Sequence, residues 1–91
     1  MIQVVISGAG GKLATAIADA VVAADDLELT GLFNPKRAGQ TMYGTTVSGD
    51  HDAMTGDVVV ETAHNDVVLE NLGHWQANGL AAVVGTSGFT P

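Results

Sequence analysis

One continuous pattern in the first third of the chain limits its fold more than any other feature. Ile2 to Ser7 is a short, largely β-branched run, and it ends on Gly8-Ala9-Gly10-Gly11. Such a run predicts a strand buried on both faces. The glycines predict a turn that needs unusual backbone angles or close approach. Lys12 to Ala24 is alanine-rich, with Leu13, Ala16, Ile17, Ala20, Val21 and Ala24 at three- and four-residue spacing, the pattern of one helix face. Asp25-Asp26 end that helix, and Leu27 to Phe33 predicts a second strand. Strand, glycine turn, helix, strand is a βαβ unit, and its crossover is right-handed.

The pattern then repeats more loosely. Asn34 to Asp57 is glycine-rich and starts with Pro35, so it predicts loop with one short strand near Thr45 to Val47. Val58-Val59-Val60 predicts a third strand running into Glu61-Thr62. Asn65 is a good N-cap for a helix from Asp66 to Ala77, with Val67, Val68, Leu69, Leu72 and Trp75 as its apolar side. Asn78-Gly79 stops it, Leu80 to Val84 predicts a fourth strand, and Gly85-Thr86-Ser87-Gly88 a second glycine-rich turn. Alternating strands and helices predict an α/β fold: a Rossmann-like parallel sheet with helices on both faces. Its carboxyl edge would gather Gly8 to Lys12, Phe33 to Arg37, Thr62 to Asn65 and Gly85 to Ser87, where ligands bind in open α/β sheets.

The whole chain of 91 residues is one small domain at most, and marginally stable at that size. It carries ten acids against three bases, a net charge of −7, so phosphate backbones repel it and no nucleic-acid partner is expected. With no cysteine there is no disulfide and no thiolate chemistry. His51, His64 and His74 lack metal-ligand spacing, so no metal is expected. No run approaches membrane-spanning length and no signal peptide opens the chain, which predicts a soluble, cytoplasmic protein with no membrane partner.

Four places can carry chemistry. The first glycine turn precedes a helix whose free N–H groups and positive dipole end suit a pyrophosphate. Its spacing is Gly8-x-x-Gly11-x-x-Ala14, not the strict dinucleotide fingerprint, because Leu13 stands at the last glycine position. It is not a phosphate loop of the Walker type either, since Gly11-Lys12 is followed by Leu13. At the second strand's end, Asn34 stands where an acid would bind an adenosine ribose. Asn34 does not repel a 2′-phosphate, and Lys36 and Arg37 can neutralise one, which favours NADP over strict NAD selectivity. Glu61 and His64 stand without a visible nucleophile or metal, so positioning or capping is expected rather than catalysis. Trp75 and Phe89 read as core residues, with Phe89 alternatively beside a nicotinamide ring, and His51 and His74 as loop and helix-surface residues.

Three blocks resemble the dihydrodipicolinate reductase (4-hydroxy-tetrahydrodipicolinate reductase) family. Gly8-Ala9-Gly10-Gly11-Lys12-Leu13 is similar to its cofactor loop. Val58-Val59-Val60-Glu61-Thr62-Ala63-His64 matches a strand that usually ends in Asp-Phe-Thr or Asp-Phe-Ser. Ala82-Val83-Val84-Gly85-Thr86-Ser87-Gly88-Phe89-Thr90 is close to its Gly-Thr-Thr-Gly-Phe signature. The resemblance covers essentially the whole chain. It implies hydride transfer from NADH or NADPH to a cyclic dihydrodipicolinate-type substrate in lysine and diaminopimelate biosynthesis. It implies pyrophosphate contacts from Gly8, Ala9, Gly10, Gly11, Lys12 and Leu13 and a ribose contact from Asn34. It also implies a crevice lined by Thr62, Ala63 and His64, and nicotinamide-side contacts from Gly85, Thr86 and Ser87.

The chain departs from the family pattern at Asn34, at Glu61 for Asp, at Thr62 for an aromatic residue and at Ala14 for glycine. In that family the catalytic histidines and lysine, and the tetramer interface, lie in a following domain. The expectation is therefore a truncated cofactor-binding domain, without catalytic residues, prone to self-association through its exposed sheet edge. Two other readings stay open at this point: the cofactor domain of another NAD(P)-dependent reductase, and a stand-alone, non-catalytic nucleotide-binding or regulatory module.

Overall fold

The computed structural model describes residues 1–63 and 65–85, the side chain of Asn65 apart. The elements run β1 (Ile2–Ser7), α1 (Lys12–Ala23), β2 (Leu27–Phe33), β3 (Thr41–Met42), β4 (Thr45–Thr46), β5 (Val58–Glu61), α2 (Asn65–Ala77) and β6 (Ala81–Val84), with 3-10 turns at Pro35–Arg37 and His51–Ala53. β2, β1, β5 and β6 form, in that order, a four-stranded sheet whose pairings are all parallel. This is the expected Rossmann-like α/β arrangement.

Two cores form because the pleat sends alternate residues to opposite faces. Val4 and Ile6 of β1 pack with Ala14, Ala18 and Val21 of α1. Val5 and Val59 pack on the other face with Phe33, Met54, Trp75 and Leu80. The continuous apolar runs of β1 and β5 are therefore used on both faces, as parallel strands require.

Both helices are rotated from the expected faces. α1 buries Ala14, Ala18 and Val21, while Leu13 is 47% exposed. A helix this rich in alanine is apolar nearly all round, so its pattern leaves the rotation open. The close approach of α1 to the sheet selects the smallest side chains. α2 buries Val68, Asn71 and Trp75, while Val67 lies toward solvent and Leu69 is 73% exposed. The buried Asn71 amide explains why hydrophobicity alone misplaced this face: its Oδ1 lies 2.9 Å from His51 Nε2. Among the described strands β6 pairs only with β5, and Val83 is 56% exposed.

The segment between β2 and β5 holds more structure than the one short strand expected. β3 and β4 form a small antiparallel hairpin around Tyr43 and Gly44. Ser48 then bridges to Phe33 along the outer edge of β2. Val47 is buried in the α1-side core, and Met54 in the other. The Tyr43 hydroxyl donates to Asp19 Oδ1 at 2.6 Å and fastens the hairpin to α1.

Candidate functional site

The carboxyl ends of β1, β2 and β5 meet as predicted and border a crevice of about 720 Å³. The glycine turn is held in place from below. The Phe33 carbonyl accepts from both Gly8 N at 2.8 Å and Ala9 N at 3.2 Å. Asn34 Nδ2 donates to Ala9 O at 2.8 Å, and Asn34 Oδ1 accepts from Lys36 N at 3.0 Å. Asn34 thus ties the glycine turn to β2 and caps the 3-10 turn that presents Lys36 and Arg37. One N–H and one lone pair of its amide are not used by these two bonds.

The three glycines of the turn serve different ends. Gly8 and Gly10 have φ of +93° and +95°, which side chains rarely adopt. A Cβ on Gly8 would lie 2.6 Å from Thr62 Oγ1, and one on Gly10 would lie 2.5 Å from Arg37 Cδ. Gly8 therefore admits the loop after β5, and Gly10 admits the Arg37 stem. Gly11 is different. Its φ is −75°, which any residue adopts, and a Cβ there would meet only Gly8 O, at 3.4 Å. The fold gives no reason for glycine at this position, which faces the crevice at the start of α1. No side chain caps that helix end. The Gly11 amide donates to Gly8 O at 3.2 Å, and the first-turn amides after it have no partner within the helix, so this end of α1 offers donors and the positive end of a helix dipole.

Thr62 N and Thr62 Oγ1 both donate to Ser7 O, at 2.9 and 2.7 Å. This sets the loop after β5 against the glycine turn. Gly85 closes the same side, where a Cβ would come 3.3 Å from Leu13 Cδ2. The crevice carries two cations, Lys36 and Arg37, from the end of β2, and two acids, Asp66 and Glu70, from α2.

Of the residues predicted from sequence, Gly8, Gly11, Asn34, Lys36, Arg37, Thr62 and Ala63 line the crevice together. Ala9 is buried beneath it, and Gly10 lies under Arg37. The side chains of Lys12 and Leu13 point away into exposed positions beside the turn, and Gly85 packs on Leu13 rather than lining the cavity. His64, Thr86, Ser87 and Phe89 lie outside the described residues. Among the described residues, no group of three or more acids and histidines could hold a metal.

Sequence reasoning missed the far wall. His51, read as a loop residue, stands in the crevice lining at a centroid distance of 4.5 Å from Phe33 and stacked 3.9 Å from His74. Asn71 fixes its ring through Nε2. Val67, Glu70 and Asn71 share that wall, and their i, i+3, i+4 spacing is the one signal that marked them as a helix face. For His51, only the chain path of the 34–57 segment brings it there.

Comparison with known proteins shows the family to which the chain belongs. A sequence model of the family described as "Dihydrodipicolinate reductase, N-terminus" matches residues 2–91. The chain belongs to the dihydrodipicolinate reductase family. It is 42% identical over 88 residues to the 4-hydroxy-tetrahydrodipicolinate reductase of Nocardia farcinica, covering 97% of this chain and 32% of that relative. It is 35% identical over 102 residues to the enzyme of the same name from Anaeromyxobacter sp., covering all of this chain and 38% of that one. These relatives are oxidoreductases by name, and the chain spans about a third of their length. The solved, dipicolinate-bound dihydrodipicolinate reductase from Paenisporosarcina sp. TG-14 superposes with a TM-score of 0.82 at 24% identity, over 99% of this chain and 39% of that one. A Rex-family repressor superposes with a TM-score of 0.74 at 19% identity, covering 100% of this chain and 49% of that one. At these identities the two structures speak to the fold alone. No helix of the described residues is long and apolar enough to cross a membrane.

Proposed function

We propose that this chain is the dinucleotide-binding portion of a cytoplasmic NAD(P)H-dependent 4-hydroxy-tetrahydrodipicolinate reductase, with substrate binding and tetramer formation assigned to a further domain. The observation that carries the reading is Gly11. It is a glycine without a conformational or packing reason, open to the crevice, at an uncapped helix N-terminus. A pyrophosphate placed there meets amide donors and the positive helix end, with no Cβ to hold it off. Gly8 to Leu13 supply that cradle, Lys12 and Leu13 through their backbone amides, since their side chains do not line the crevice.

The residues at the end of β2 take the adenosine half. Asn34 has one N–H and one lone pair left for a ribose hydroxyl after its two bonds to the protein. Arg37 and Lys36 offer charge-assisted bonds to a 2′-phosphate. Thr62 and Ala63, which line the crevice, take the nicotinamide half, and the family resemblance assigns His64, Gly85, Thr86 and Ser87 to the same half. The bound dinucleotide supplies a hydride. The chain's own residues hold and orient it, and none is assigned as a proton donor or catalytic residue.

Parallel calorimetric titrations with NADPH and NADH test this. Binding of NADPH at least about tenfold tighter than NADH is expected from charge-assisted bonds, together with loss of that preference in Arg37→Ala. A folded chain that binds neither at millimolar concentration defeats the dinucleotide reading. Equal affinity for both defeats the role of Lys36 and Arg37 alone.

A further inference from the structure

Glu61 is 0% exposed and sits where three pieces of the site meet. Its Oε2 accepts from Ser7 Oγ at 2.9 Å and from the Ala63 amide at 2.9 Å. Its Oε1 accepts from the Trp75 indole N–H at 2.7 Å. Ser7 is the last residue of β1, directly before the glycine turn, and Ala63 lies in the crevice loop after β5. Trp75 is the wholly buried anchor of α2, whose outer turns carry Val67 and Glu70 into the far wall. One carboxylate therefore joins the glycine turn, the β5 loop and the helix that walls the crevice.

A carboxylate is a costly group to bury, and well-packed apolar residues commonly serve stability as well or better. What a carboxylate offers here is several acceptor sites at fixed angles, which a pair of loops held only by Thr62 and Ser7 would lack. Where the resembling family usually has Asp, the additional methylene of Glu61 extends the carboxylate toward Trp75.

We propose that Glu61 is a positioning residue for dinucleotide binding: it fixes the glycine turn and the Thr62–Ala63 loop relative to α2, so that the crevice is preformed. The inference rests on the dinucleotide reading above. Gln at this place keeps the shape but offers one acceptor oxygen. The Ala63 amide and the Trp75 indole are donors only and face different oxygens of Glu61, so one of them would meet the Gln NH2 group instead of an acceptor.

The test is calorimetric titration of wild type, Glu61→Gln and Glu61→Asp with the tighter-binding dinucleotide, at a temperature where near-ultraviolet circular dichroism shows each protein fully folded. Glu61→Gln is expected to bind about tenfold more weakly, the effect of one bond to a charged group. Glu61→Asp, which keeps a carboxylate near Ser7 and Ala63, is expected to remain within about threefold of wild type. A merely structural role would lower the melting temperature and leave the affinity of the folded protein alone. Folded Glu61→Gln that binds within about twofold of wild type overturns the proposal. If that variant does not fold, Trp75→Phe decides. Weakening by about threefold supports positioning, and unchanged affinity overturns it. Failure of the wild type itself to bind would instead remove the dinucleotide reading on which the inference stands.

Discussion

Gly8 and Gly39 share a backbone angle, φ +93° and +92°, in opposite surroundings. A Cβ on Gly39 meets nothing within 4 Å. A Cβ on Gly8 would lie 2.6 Å from Thr62 Oγ1, 2.9 Å from Ala63 N and 3.0 Å from Thr62 C. Gly39→Ala therefore meets the backbone penalty alone, about 1–2 kcal/mol. Gly8→Ala meets the same penalty and a steric one. The Thr62 hydroxyl can turn aside only by leaving Ser7 O, and the Ala63 nitrogen cannot turn at all because it is bonded to Glu61. Overpacking of this kind costs about 1–3 kcal/mol, which is the expected difference between the two variants. For a domain of this size each kcal/mol moves the melting temperature by about 4–8 °C. Urea denaturation of both variants beside wild type reads the difference directly, and dinucleotide titration should show binding impaired by Gly8→Ala and retained by Gly39→Ala. If the two variants agree within about 0.5 kcal/mol, the Thr62–Ala63 loop yields freely and the tight junction described above does not exist.

Two further outcomes are expected. The Tyr43 phenol is held above its ordinary value of 10.0, first by its hydrogen bond to Asp19, then by desolvation and the Asp19 charge. Because the folded value is the higher one, this bond stabilises fully below about pH 10 and is lost as pH rises through the folded value. The stability difference between wild type and Tyr43→Phe, followed by thermal melts from about pH 8 to 11, should stay constant and then shrink at the top of that range. A difference that grows with pH would contradict the hydrogen bond. Val83 is 56% exposed on β6 and pairs in register with Val60, beside an edge that no described strand covers. Self-association through this edge is expected in sedimentation velocity and should weaken in Val83→Lys, since an edge charge opposes strand pairing. A wild-type chain that stays monomeric at high concentration, or a Val83→Lys variant that associates equally, would refute it.

The sequence by itself determined the four strands of the parallel sheet, the two helices and their order, because each carries a pattern that local physics reads directly. β-branched runs made β1 and β5, alanine periodicity made α1, and glycine after β1 made the turn. From these the carboxyl edge followed, and with it the grouping of Gly11, Asn34, Arg37 and Thr62. What only the tertiary structure decided is how faces and loops use those residues. The rotation of α1 could not be read, because alanine is apolar on every side and the close fit of Ala14 and Ala18 against the sheet chose the face. His51 reached the crevice through a segment whose path depends on Val47 and Met54 entering two different cores. Asn34, legible as a site residue, proved also to be the clamp on Ala9. Glu61, legible only as an isolated acid, gained its partners from residues 54 positions before and 14 after it. Such long-range bonds leave no periodic trace in a sequence. They exist only once parallel strands have brought β1 beside β5 and the right-handed crossover has laid α2 across them.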